Sequence, residues 1–197
     1  VMEDCRVLEA CREGKYTSVL VQTHDKKYVE YRTEHFVNAL GSGAGKLCDS
    51  MGIDAGLYPV RHQAFITRRL PMLGKHGTNL DMLIDRQDYK GFSAVYGQQI
   101  AYTGQIIGCA SPKLDAMRID KNLKVNTKAF LEIVSEMFSE WIPDLAGVGI
   151  QAVWAGYYTE PRYIVDPELG LFVGMRGHGF MLSQYIARMY VDKLLGR

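Results

Sequence analysis

The sequence predicts an α+β fold, mainly antiparallel sheet with a few helices, and three observations carry that expectation. Between residues 60 and 109, short apolar or alternating runs are separated by Gly74, Gly77, Gly91 and Gly97, the pattern of strands joined by tight turns. Residues 127–142 place Phe130, Val134, Met137, Phe138 and Trp141 on one helical stripe that Pro143 stops. Residues 170–182 run from a short apolar strand through three glycines into a last helix.

Taken in order, residues 1–12 read as the end of a helix. Residues 13–15 then open a hairpin, with strands at 16–23 and 27–32 around the polar turn His24-Asp25-Lys26. Residues 36–40 read as a short buried strand, and the glycine-rich segment after it leads into a helix over 46–51. The antiparallel set is expected at 60–68, 81–85, 92–96 and 101–109, and Ser111-Pro112 ends it. Such a set suggests one sheet with a solvated face and a face that covers something. Asn126 is the expected N-cap of the long helix, whose apolar stripe reads as core. The last helix has apolar positions at Leu182, Ile186, Tyr190 and Leu194.

At 197 residues the chain has the length of one ordinary domain, with 47% apolar residues to build a core. Twenty-three Lys and Arg against 22 Asp and Glu leave a net charge of +1, which removes the electrostatic case for nucleic acid. No apolar run approaches the roughly 18 residues of a membrane span. Cys5, Cys11, Cys48 and Cys109 show neither C-x-x-C pairing nor metal spacing, and reduced thiols in a cytoplasmic protein are the plain expectation. No metal site is expected from the scattered histidines or from Asp81, Asp85 and Asp88. The nucleophile elbow G-x-S-x-G is also missing.

The stretch that organises the chemistry is residues 170–182. Gly174, Gly177 and Gly179 let the backbone approach something flat or anionic, and the first N–H groups of the helix with its positive dipole end favour negative charge there. A plain tight turn would satisfy the same residues.

Four segments in order carry a resemblance that separates these readings. Trp154-Ala155-Gly156-Tyr157-Tyr158 followed by the Gly-His-Gly loop resembles the C-terminal signature of the flavoenzyme family of D-amino-acid oxidase, glycine oxidase and sarcosine oxidase. Phe36-Val37-Asn38-Ala39-Leu40-Gly41 resembles the strand that ends the family's FAD-binding half. Tyr58-Pro59-Val60-Arg61-His62-Gln63 resembles the entry to its substrate domain, with His62 in place of a glycine, and Pro143-Asp144-Leu145 is the fourth match.

The resemblance implies FAD as cofactor and the C-terminal part of such a flavoprotein. Residues 1–56 would end the FAD-binding domain, 57–155 would form the substrate-binding sheet with its helix, and 156–197 would return to the FAD-binding domain. The family's opening G-x-G-x-x-G turn has no counterpart, because the glycines of Gly41-Ser42-Gly43-Ala44-Gly45-Lys46 are wrongly spaced for it or for a Walker loop. The expectation is therefore a fragment, cleavage product or separate subunit that works with an N-terminal FAD-binding chain or segment, and an oligomer.

By the same resemblance, Gly41, Gly174, Met175, Arg176, Gly177, His178, Gly179, Phe180 and Met181 are cofactor-binding candidates, and Tyr96 is the catalytic candidate. Tyr157, Tyr158, Arg162 and Gln98 are substrate-binding candidates; Gln99 and Tyr102 lie in the same stretch as Tyr96. Tyr158 stands where family members commonly place an arginine that forks onto a substrate carboxylate, which puts a simple α-amino acid in doubt. The implied reaction is FAD-dependent oxidation of a small amine or amino acid at its C–N bond, giving an imine. A non-catalytic assembly subunit, or oxidation of a hydroxy acid or polyol, is the alternative.

Overall fold

The first element is a strand, β1 (Arg6–Glu13), where the sequence suggested the end of a helix. Its backbone pairs antiparallel with β2 (Tyr16–Gln22) around Gly14, which sits at φ +63°, and β2 pairs in turn with β3 (Tyr28–Thr33). Ladder pairing with β2 outweighs the mixed local propensity of residues 6–13. Ala10, Val19 and Val21 point from this three-stranded sheet onto Leu47 of α1 (Ala44–Ser50), which starts two residues earlier than expected, after a 3-10 turn over Gly41–Gly43.

The computed structural model describes residues 1–74, 79–89, 91–112 and 127–197; the expected turn at Gly77 and cap at Asn126 lie outside the described residues. Next in the chain come β4 (Tyr58–Thr67), β5 (Leu83–Tyr89), β6 (Phe92–Gln99) and β7 (Ile106–Pro112). Residues 101–103, expected at the start of the last of these strands, form a turn instead, and Tyr102 there is 90% exposed. Helix α2 (Thr127–Trp141) and β8 (Ile150–Glu160) follow, then β9 (Ile164–Asp166), β10 (Leu171–Val173) and helix α3 (Gly179–Leu194). Contacts divide the chain into two units, Val1–Pro59 with Tyr158–Arg197, and Val60–Tyr157.

The central unit is a sheet in the order β5-β6-β7-β4-β8 backed by α2. The expected stripe on α2 is core: Phe130, Val134, Met137 and Phe138 are buried against Phe65, Val95, Ile106 and Ala110 of the sheet. Phe65 meets Phe138 edge to face at 5.6 Å between ring centres, an arrangement aromatic rings prefer. Trp141 donates its indole N–H to Asp85 Oδ2 at 3.0 Å, which fixes the α2-facing side of β5. Register then sets the other side. Ala64, Cys109, Tyr96 and Ile84 lie opposite one another across four strands, with Ile66, Ile107 and Gln98 in the next row.

In the unit built from both ends of the chain, residues 36–40 do not form the expected buried strand. One parallel bridge joins Asn38 to Leu171, in which Asn38 N–H donates to Gly170 O at 2.7 Å and Phe172 N–H donates to Asn38 O at 3.0 Å. Val37 and Leu40 on either side stay exposed, since a single bridge offers no apolar surface to cover them. Asn38 itself is buried and donates from Nδ2 to Ala44 O at 3.1 Å, tying the bridge to the start of α1. Ala44 and Cys48 of α1 pack with Leu171 and Val173 in a small core.

Helix α3 is covered unevenly. Tyr190 is buried and its ring meets Phe172 at 6.0 Å, but Phe180, Met181, Leu182, Tyr185 and Met189 are exposed. No helix among the described residues is long and apolar enough to cross a membrane.

Candidate functional site

The glycine loop after β10 is shaped by backbone needs that other residues would not meet. Gly174 sits at φ +76°, and a Cβ there would lie 1.8 Å from the carbonyl oxygen of Arg162. A Cβ at Gly177 would lie 2.8 Å from Cε2 of Tyr158. Between them Arg176 also has positive φ, +49°, unusual for a residue with a side chain. A 3-10 turn over Arg176–His178 then passes into α3.

The helix begins without a cap of its own. His178 at the N-cap makes no side-chain capping hydrogen bond, and no acidic residue stands in the first turn. The first-turn N–H groups of a 16-residue helix are therefore met by none of the side chains that ordinarily cap them, while the dipole makes that end partly positive. Gly177 and His178 are exposed, and Phe180 and Met181 project fully or largely into solvent. What this arrangement can do is donate backbone hydrogen bonds to an electron-rich carbonyl or anionic group of a ligand that comes close to the glycines.

The segment before β9 supports the loop. Glu160, 7% exposed, accepts from Arg176 Nε at 2.7 Å. The Tyr163 hydroxyl lies 3.0 Å from His178 Nδ1. Tyr158 lies against Gly177, and the Arg162 backbone lies against Gly174. Sequence reasoning placed Tyr158 and Arg162 toward a substrate; the structure places Tyr158's ring and Arg162's carbonyl on the loop, with the Arg162 side chain outward. Arg176, suggested as a positive charge for the ligand, has its Nε committed to Glu160.

Glu160, Tyr163 and Asn38 were not singled out from the sequence. They act on residues distant along the chain, and no local spacing marks such pairs. The Asn38 bridge places the segment leading to Gly41 beside β10, the strand that feeds the loop. Gly41 has φ +56° and open space where a Cβ would be.

The sheet face of the central unit carries the remaining candidates. Tyr96 and Gln98 lie on the side of the sheet away from α2, as their spacing implied. Gln99 turns the other way and accepts at Oε1 from Leu80 N–H at 2.7 Å. Tyr96 hydrogen-bonds the thiol of Cys109, its cross-strand neighbour, and burial pushes that thiol up from its ordinary value in spite of the bond. Tyr157 is half-buried at the end of the same unit. Burial also lowers His62, on β4, to about 4, so its imidazole is neutral near pH 7. All four cysteines are free thiols, and no metal-binding cluster occurs among the described residues.

Comparison with known proteins gives this geometry its context. A family model described as FAD dependent oxidoreductase matches residues 1–193. Among solved structures, glycine oxidase from Bacillus cereus ATCC 14579 superposes with a TM-score of 0.71 at 21% identity, over 98% of this chain and 50% of that one. L-proline dehydrogenase from P. horikoshii gives 0.67 at 26%, over 95% and 48%. The glycerol-3-phosphate dehydrogenase from Bacillus halodurans, solved with FAD, gives 0.69 at 13%, over 96% and 38%. The chain thus spans about half the length, or less, of the structures it resembles. No curated protein matches it.

Proposed function

We propose, from the premise that this chain belongs to the FAD dependent oxidoreductase family, that it forms the substrate-binding and loop-bearing part of an enzyme oxidising a small amine or amino acid at its C–N bond. The observation that carries the reading is the uncapped N-terminus of α3 behind a loop in which a Cβ at Gly174 would strike the backbone of Arg162. That donor set fits the flavin: backbone N–H groups and a positive helix end suit the electron-rich carbonyl edge of its pyrimidine ring, and a glycine surface admits a flat group. Residues 174–181 would hold it.

FAD supplies the two-electron acceptor. The work left to the chain is to bind and orient. The substrate must arrive as a neutral amine, its carbon giving up a hydride and its nitrogen a proton as the imine forms; water then hydrolyses the imine to carbonyl and amine. Tyr96 and Gln98 offer a hydroxyl and an amide on the exposed sheet face for holding such a substrate. The partly positive end of α3 favours negative charge on the pyrimidine edge, the side on which reduction places it.

An amine is preferred because a glycine oxidase and an L-proline dehydrogenase share the fold. The glycerol-3-phosphate dehydrogenase with the same fold supports oxidation of an alcohol as the second reading. Anaerobic mixing of the flavin-loaded protein with small amines and amino acids, and separately with hydroxy acids and polyol phosphates, tests the two. Bleaching of the flavin by amines alone is expected; bleaching by alcohols alone would transfer the assignment to the second reading.

We also infer that a nucleotide-binding segment covers α3, because Phe180, Met181, Leu182, Tyr185 and Met189 form more exposed apolar surface than one helix ordinarily leaves to water.

A further inference from the structure

Four residues from the end of β8 to the start of β9 meet four residues of the glycine loop. Tyr158 lies on Gly177, Glu160 binds Arg176, the Arg162 carbonyl abuts Gly174, and Tyr163 binds His178. Two of these contacts are steric and two are polar. The polar ones need an explanation, because a turn made only of glycine would satisfy the backbone without them.

Arg176 is the informative residue. A residue with a Cβ in the left-handed region is strained by about 1 kcal/mol, and glycine at this position would remove the strain. Glu160 is informative in the complementary sense. Its carboxylate is almost fully buried, and a buried charge is tolerated when a counter-charge meets it. Each residue accounts for the other: the guanidinium compensates the buried carboxylate, and the carboxylate holds Arg176 in its unusual backbone conformation. Only Nε is drawn inward, and the side chain stays 46% exposed.

We propose that Glu160 and Tyr163 are positioning residues for the flavin-facing loop, Glu160 by orienting and neutralising Arg176 and Tyr163 by fixing the ring of His178. The loop then meets its ligand with a set shape and no net charge from the Glu160–Arg176 pair, leaving the helix end as the source of positive potential. This rests on the reading that residues 174–181 face the flavin.

The consequence is a sign pattern that loosening of the loop cannot mimic. In flavin-loaded protein, Glu160→Gln keeps an acceptor for Nε but removes the negative charge, so the surplus guanidinium favours the electron-richer reduced flavin and the midpoint potential rises. Arg176→Gln leaves the carboxylate in surplus, and the potential falls. The double variant Glu160→Gln/Arg176→Gln restores neutrality and returns close to wild type. Titration of each apoprotein with FAD should show binding weakened roughly tenfold in each single variant, as loss of one partner of a charge pair that shapes the loop implies. Tyr163→Phe, an exposed and mild change, should weaken FAD binding several-fold and leave the potential near wild type.

Single variants that shift the potential in the same direction, or leave it unmoved, overturn the role of Glu160. If Glu160→Gln does not fold, Arg176→Gln and Tyr163→Phe decide the matter by the same measurements, and wild-type affinity in both is the overturning result. A wild-type protein that takes up no FAD even with its nucleotide-binding segment present overturns the flavin-facing reading itself, and it does so before any variant is compared.

Discussion

Replacing Gly174 by alanine probes the loop with a magnitude the structure supplies. The position has φ +76°, and the new Cβ would lie 1.8 Å from Arg162 O and 2.8 Å from Arg162 C. The left-handed conformation costs alanine about 1 kcal/mol. The contact costs more, since carbon and oxygen ordinarily stay beyond about 3 Å and backbone must move by more than about an ångström; overpacking of this kind costs roughly 1–3 kcal/mol. Gly174→Ala should therefore lose about 2–4 kcal/mol, a large part of the roughly 5–15 kcal/mol that holds a domain folded. Gly14→Ala is the internal control, with a similar φ of +63° and no heavy atom within 4 Å of the added Cβ. It isolates the conformational cost alone. Urea unfolding of both variants at one pH gives the difference directly. A Gly174→Ala protein within about 0.5 kcal/mol of Gly14→Ala, a spread usual for innocuous substitutions, would refute the steric account of the loop.

Two further outcomes follow from other residues. Gly179→Asp places a carboxylate at the start of α3, where the helix dipole favours it by about 0.3–1 kcal/mol; its Cβ would meet the Met175 side chain, Cβ at 3.0 Å and Cγ at 3.7 Å, and no backbone. Thermal stability should hold while bound flavin per chain falls, and unchanged flavin content would remove Gly179 from the site. His62 is held near 4 by burial against an ordinary value of 6.5. The unfolded chain therefore binds this proton where the folded one does not, and stability should decline as pH falls from about 6.5 toward 4, by up to about 3 kcal/mol. His62→Gln should flatten that part of the difference between unfolding free energies at pH 7.5 and pH 4.5, and an identical pH dependence in both proteins would sink the explanation.

Much of the central unit was legible in the sequence because its signals are local. The period of Phe130, Val134, Met137 and Phe138 is that of a helix whichever partner covers it, and the alternation that put Tyr96 and Gln98 on one face survives in the register. What was misread depended on partners. Residues 6–13 are a strand because β2 pairs with them, and residues 36–40 lack ladder neighbours beyond the bridge of Asn38 to Leu171. The glycine loop was visible as a loop. Its supports were not, because Glu160 and Arg176 both sit at irregular ends of elements, where no period predicts what a side chain meets.

The bridge between Asn38 and Leu171 also bears on how the chain is made. One unit is assembled from Val1–Pro59 and Tyr158–Arg197, and Val60–Tyr157 belongs to the other. During synthesis the early hairpin and α1 leave the ribosome long before β10 exists to complete their core. The intervening unit is continuous and holds its own aromatic cluster, so it has what it needs to fold during that wait. Once folded, it shortens the loop that must close when β10 and α3 arrive, and the entropy of that closure falls accordingly. The glycine loop thus takes its shape only after the intervening unit and β10 have been made.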